Sequence, residues 1–306
     1  MKNMTILKQI GSTPLIPVGQ GQHEHHQTHI FAKAEYLNPG GSIKDRVALC
    51  IIQEAEKRGD LKKGMTIAEA TSGNTGIAVA MIGLIKGYHV TIIMPENMSE
   101  ERKKMIKALN AKLILTPKKE NVGGAVKRLN QLRQNQSNVF VPDQFENQDN
   151  SLAHYHSTGP EIWKSMNGDV DIFVSGIGSG GTLMGTGTYL KKMNPNLKII
   201  AVEPKNNSAL LGHQPGLHKI EGIGDGFIPS IVTPDLIDQI IEVDDDDAIA
   251  MAKRLAAENG FLAGISSGAN ICAALKAAQI YGYDKKITTI LPDGAERYFS
   301  TGLFSS

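Results

Sequence analysis

Residues 66–86 read TIAEATSGNTGIAVAMIGLIK, and the fold follows from this stretch. Thr66–Ala70 is a short apolar run of strand length. Residues 75–86 are apolar on every face, as in a helix with no solvent side. Between them, TSGNTG (71–76) packs hydroxyls and an amide onto a turn, where a helix N-terminus presents free N–H groups. The same rhythm continues outward. Strands are predicted over 90–94, 112–115 and 139–141, with helices near 99–109 and 124–133. The second half repeats it, with strands at 171–175, 198–202, Gln239–Val243 and 287–291 and helices between them. Short apolar strands alternating with helices predict parallel sheets covered on both faces, here in two lobes sharing a cleft and dividing at 147–150.

Composition excludes several classes. The chain has 306 residues, 41% of them hydrophobic, enough for a sizeable core. Lys+Arg 32 against Asp+Glu 31 leaves a net charge of +1, no footprint for nucleic acid or an anionic membrane. The two cysteines, Cys50 and Cys272, lie in apolar, helix-like stretches and read as buried thiols rather than a disulfide. No apolar run has membrane-spanning length and no secretory segment follows Met1, so the expected location is cytoplasmic. Residues 21–29 hold His23, His25, His26 and His29; a polar run between two predicted strands reads as a solvated loop before a metal site. The acidic run Asp244 to Asp247 opens a helix and reads as a cap, not a calcium site.

Three constellations carry chemistry. GIGSGGT (176–182) follows an apolar strand and opens a helix, which makes an anion site of its backbone N–H groups. It also fits G-x-G-x-x-G through Gly176, Gly178 and Gly181, with Glu203 after the next strand, so this motif alone admits a nicotinamide-dependent dehydrogenase. The other two constellations have no task in hydride transfer. NPGGSIKDR (38–46) is a turn with Ser42 as helix N-cap, which puts Lys44 in the first turn, beside the positive end of the dipole. A lysine of lowered charge, or one held as an imine, suits that place; a solvated Lys44 paired with Asp45 is an equal alternative on spacing alone. TSGNTG suits a carboxylate, since an ordinary cap explains one polar residue and not the cluster.

With Lys44, TSGNTG and GSGGT in this order, the chain resembles the cysteine synthase (O-acetylserine sulfhydrylase) and cystathionine β-synthase family. IGSTPLIPV, PENMSEERKKMIKALNAKLILT, GIGDGFIP, LAGISSGA and ERYFSTGLF extend the likeness over nearly the whole chain. The resemblance implies an α/β, two-lobed pyridoxal-phosphate fold type II, similar to the tryptophan synthase β subunit. Residues 1–148 would form the N-terminal lobe, with a mobile subdomain over about 88–135, and residues 149–306 the C-terminal lobe. It implies that Lys44 binds pyridoxal phosphate as an imine and then serves as general base. It assigns Asn74 to the cofactor's phenolic oxygen. It gives Thr71, Ser72, Thr75 and Gln144 to the substrate carboxylate. The phosphate falls to Gly178, Ser179, Gly180, Gly181 and Thr182, and the pyridine nitrogen to Ser266.

The activity so implied is β-replacement through an α-aminoacrylate, with cysteine synthesis from O-acetylserine and sulfide first. The resemblance also implies a homodimer, with the C-terminal tail of a serine acetyltransferase as a further partner for such clefts. One residue departs from the pattern. Asp225 in GIGDGFIP stands where cysteine synthases usually carry a small apolar residue and cystathionine β-synthases often a tyrosine. A carboxylate over the site favours a second activity, release of hydrogen sulfide from cysteine (a cysteine desulfhydrase or a cystathionine β-synthase-like β-replacement), with Asp225 as general base. An Asp225 that merely caps a turn is the plainer alternative. Asp293 in LPDGAERY approaches the same site and is given no role.

Overall fold

A computed structural model describes residues 6–18, 28–301 and 303. Along the chain run β1 (Leu15–Val18), β2 (His29–Ala34), α1 (Lys44–Arg58), β3 (Thr66–Ala70), α2 (Asn74–Lys86) and β4 (His89–Pro95). Then come α3 (Glu100–Ala108), β5 (Lys112–Thr116), α4 (Asn121–Asn135), β6 (Val139–Phe140), α5 (Asp149–His156) and α6 (Thr158–Ser165). The second half holds β7 (Ile172–Gly176), α7 (Gly181–Met193), β8 (Lys198–Pro204), β9 (Gln239–Val243), α8 (Asp245–Asn259), α9 (Ile265–Tyr281) and β10 (Lys286–Leu291). Of the histidine run, His29 opens β2, while His23, His25 and His26 lie outside the described residues.

The strands form two sheets, ordered β5-β4-β3-β6 and β1-β2-β10-β7-β8-β9. All their pairings are parallel except β1 with β2. Both faces of each sheet are covered, as the apolar runs imply. In the smaller sheet Ile67, Ile92 and Met94 pack against α1, α2 and α3, while Ala68, Ala70 and Ile93 meet Ala125 and Leu129 of α4. In the larger, Ile172, Val174, Ile200 and Val202 face α8 and α9, and Phe173, Ile199 and Ala201 face α6 and α7.

The division at 148/149 does not follow the sheets. It separates β3–β6 from β7–β10, but β1 and β2 hydrogen-bond into the larger sheet through β10. That pairing joins residues near 30 to residues near 288, a separation at which local pattern carries no register. Other corrections are smaller. Asp244 is the N-cap of α8 yet makes no capping hydrogen bond; it pairs with Lys205 at 2.8 Å, and Asp245 accepts from the Lys219 N–H at 2.9 Å. Cys50 and Cys272 are half-buried on α1 and α9, and burial pushes each thiol up to about 11.

A buried ion network fixes where α1 begins. The Arg46 guanidinium donates to Glu35 through Nε (2.7 Å) and Nη2 (2.8 Å), and to Glu161 through Nη1 (2.7 Å) and Nη2 (2.8 Å). Lys33, 1% exposed, pairs with Glu161 at 2.7 Å, and the Thr13 hydroxyl donates to Glu35 at 2.6 Å. Two cations and two carboxylates balance. Burial pushes the Glu161 carboxyl up, but Arg46 and Lys33 outweigh it and hold the group at about 2. Removing one member leaves an uncompensated buried charge. Arg46→Met should therefore lower unfolding stability by ~3–5 kcal/mol, measured by urea unfolding of the apoprotein. A loss under ~1 kcal/mol, the range of an exposed ion pair, would show that the network does not hold this end of α1.

Candidate active site

Both helix-opening turns named from the sequence lie at the C-terminal ends of parallel strands, where open α/β sheets gather ligands. The β3–α2 turn is TSGNTG and the β7–α7 turn is GIGSGGT. One cavity is lined by Lys44, Thr71, Ser72, Asn74, Thr75 and Gln144, and by Ser179 and Asp225 from the other lobe. An adjoining cavity shares Lys44, Asn74 and Ser179, and adds Gly178, Gly180, Thr182 and Ser266. Of the residues that the resemblance assigns to cofactor or substrate, Gly181 alone lines neither; it packs on Asn150, with which a Cβ there would collide.

Lys44 is the first residue of α1 and half-buried at the floor of the cleft. Burial lowers its pKa from the usual lysine value, against the opposing pull of Asp225 and Asp293. Asp45 does not pair with it: its Oδ2 accepts from the Gly40 N–H at 2.5 Å. Ser42 sits one residue before the N-cap, Ile43, and accepts from the Lys44 N–H at 3.3 Å.

The carboxylate-type loop is braced from behind. Thr71 accepts from the Gly73 N–H (3.0 Å), and the Thr75 hydroxyl donates to Gln144 Oε1 (2.8 Å). Gln144 follows Asp143, whose φ of 53° is a left-handed conformation that aspartate tolerates better than most residues. Asn150 Nδ2 donates to the Gln144 carbonyl (2.8 Å) and to Ser179 Oγ (2.9 Å), tying the carboxylate loop to the glycine loop. In that loop Gly180 has φ 85° and serves as N-cap of α7, a conformation open to glycine. At Gly178 a Cβ would strike the Gly222 carbonyl, so glycine there lets the 222–225 loop close over the site.

Several residues of the site went unnamed in the sequence. His154 is fully buried in α5, with Nδ1 2.9 Å from Thr158 Oγ1 and Nε2 3.3 Å from Thr182 Oγ1. Burial holds its pKa well below the histidine norm, which favours the neutral ring. Arg102 of α3 lines the cleft, pairs with Glu221 and lies 4.8 Å over the Tyr298 ring. Asn74 is held by Asp293 and Arg297, from the far end of the chain. In the sequence Asp293 stood near the site without a role, and His154 was one of two histidines on a mixed polar helix.

Pyridoxal phosphate asks for an anion cradle, an amine of lowered basicity, a donor to its ring oxygen and a partner for its ring nitrogen. The glycine loop at the start of α7, Lys44 and Asn74 fit the first three. Ser266, the second residue of α9, brings a neutral hydroxyl to the cavity at a helix N-terminus, which suits an uncharged ring nitrogen. Residues 6–293 match the family described as pyridoxal-phosphate dependent enzyme. The chain belongs to this family. Like other pyridoxal-phosphate-dependent enzymes it takes its electron chemistry from the cofactor. A cysteine synthase of Staphylococcus aureus is 45% identical over 301 residues, 98% of this chain and 96% of the relative. A cysteine synthase crystal structure from Entamoeba histolytica superposes with TM-score 0.95 at 43% identity, covering 100% of this chain and 92% of that one. A hydrogen sulfide-producing enzyme from Fusobacterium nucleatum superposes with TM-score 0.92 at 42% identity, covering 98% and 90%. No described helix is long and apolar enough to cross a membrane.

Behind the carboxylate loop, Glu69 of β3 is 3% exposed. Burial and the nearby Asp143 push its carboxyl from 4.5 up to about 8. The folded state then holds a proton that the unfolded chain releases above about 4.5, so this group costs stability as pH rises from 4.5 to about 8. In urea unfolding at pH 5, 6, 7 and 8, Glu69→Gln should gain on wild type with each step, by at most ~1.4 kcal/mol per unit. Parallel stability curves would contradict this assignment.

Proposed function

We propose that this enzyme catalyses β-replacement at a small amino acid, and that its reaction is cysteine synthesis from O-acetylserine and sulfide. The observation that carries this reading is the convergence of Lys44, the TSGNTG loop and the glycine cradle on one cleft, in a chain closely similar to cysteine synthases. When bound, pyridoxal phosphate would take up the electron pair left as the Cα–H bond breaks, which lets the β-substituent depart.

The residues divide the remaining work. Lys44 Nζ would hold the cofactor, then take the proton from Cα and later return it; burial lowers its pKa and so favours the free amine that this role needs. Ser72, Thr71 and Thr75, with Gln144, hold the substrate carboxylate at the start of α2, so that Cα faces the amine. Gly178 to Thr182 anchor the phosphate, and Asn74 and Ser266 hold the ring. A homodimer, docking of a serine acetyltransferase C-terminal tail and a cytoplasmic location belong to the same reading.

One observation favours a second reading, sulfide release from cysteine. Asp225 stands on the cleft wall with Lys44. It is exposed to solvent yet enclosed by protein, and this enclosure raises its pKa against the pull of Lys44 and His218. A carboxylate so placed repels hydrosulfide and can take a proton from a neutral nucleophile, water or a thiol. The assays are O-acetylserine with sulfide, and cysteine alone, on wild type, Asp225→Ala and Asp225→Asn. Cysteine formation by wild type supports the first reading, and no turnover in either direction would overturn both. The second reading requires both variants to lose sulfide release while keeping bound cofactor; wild-type rates in both would leave Asp225 a turn residue.

A further inference from the structure

The Asn74 carboxamide is clamped at both ends. Its Nδ2 donates to Asp293 Oδ2 at 2.6 Å, and its Oδ1 accepts from Arg297 Nη1 at 2.6 Å. Asp293 is 1% exposed and Arg297 fully buried. A carboxylate accepts and a guanidinium only donates, so a flipped amide would set acceptor against acceptor at one end and donor against donor at the other. The network therefore permits one orientation. It occupies one of the two amide hydrogens and leaves the second for the cleft that Asn74 lines.

Asp293 is itself held from several sides. The Tyr298 hydroxyl donates to its Oδ2 at 2.6 Å. Its backbone bridges to Ser42, two residues before Lys44, and its carbonyl accepts from the Gly264 N–H at 3.0 Å, two residues before Ser266. The Ile43 N–H donates to the Pro292 carbonyl at 2.8 Å. A Cβ at Gly264 would collide with Asp293 Oδ1, so glycine there makes room for the carboxylate. Asp293 thus touches the starts of α1, α2 and α9, the helices that bring Lys44, Asn74 and Ser266 to the site.

We infer that Asp293, with Arg297 at the other end, is a positioning residue that locks the Asn74 carboxamide as a donor toward the cofactor's ring oxygen. The inference rests on the pyridoxal-phosphate reading of the cleft and deepens it. Asp293→Asn keeps the shape but can offer an N–H to Asn74 Oδ1, which weakens the preference for one orientation.

The test uses full-length apoproteins refilled with pyridoxal phosphate: wild type, Asp293→Asn, Asn74→Ala and the double variant. The readouts are the cofactor dissociation constant and the position of the visible absorption band, with apoprotein melting as a check on folding. Asp293→Asn should weaken cofactor binding about tenfold and shift the band. In the Asn74→Ala background the same substitution should change neither. A wild-type band and affinity in Asp293→Asn would overturn the inference, as would an equal change in both backgrounds, which marks general packing. Should Asp293→Asn not fold, Arg297→Gln breaks the other end, and the same dependence on Asn74 is required of it. A wild-type chain that binds no pyridoxal phosphate would overturn the cofactor reading and the inference with it.

Discussion

Arg46 grips the buried Glu35 with two hydrogen bonds and turns its other edge to Glu161, which Lys33 also holds. This contact anchors the start of α1, and with it Lys44, at the floor of the cleft. Glu35 follows β2 directly and Glu161 belongs to α6, so the guanidinium two residues after Lys44 is tied to both. Four charges taken out of water are expensive, and apolar replacements of the same volume often match such networks in stability. What an ion network adds is direction: guanidinium and carboxylate meet in few geometries. A lysine that must reach one atom of a bound cofactor needs its helix to start at one place.

From that floor the walls follow a common plan. Four helices begin at the site, and each brings one function with its N-terminus: α1 the amine, α2 the carboxylate loop, α7 the anion cradle, α9 the hydroxyl of Ser266. Helix N-termini favour anions, which suits the phosphate and carboxylate that the proposed reaction brings to α7 and α2. The same field and the burial of Lys44 disfavour its charged form. Asp225 and Asp293 pull the other way, against the effect of burial.

The alternation of strands and helices was legible because buried parallel strands are short apolar runs between turns. Strand β3 was bounded to the residue, and β4 and β5 within one residue at each end. The motif-bearing turns were legible too, since TSGNTG and GSGGT keep their chemistry within a few consecutive residues. The N-terminal hairpin was not placed, because its partner β10 lies at the other end of the chain and a four-residue β1 has little period to read. For the same reason the clamp on Asn74 was invisible. Its partners are 219 and 223 residues away, so Asp293 could be placed near the site but not paired with Asn74. His154 shows the limit from the other side: a histidine in a helix reads as ordinary until Thr182 is found beside it.

All of this depends on one claim, that the amine at the start of α1 is the group that holds the cofactor. The direct measurement is borohydride reduction of the enzyme as purified with pyridoxal phosphate, followed by proteolysis and mass spectrometry of the peptides. The account predicts a single phosphopyridoxyl adduct, on the peptide that contains Lys44. An adduct on another lysine, or none on a protein that shows the cofactor's visible absorption, would contradict it.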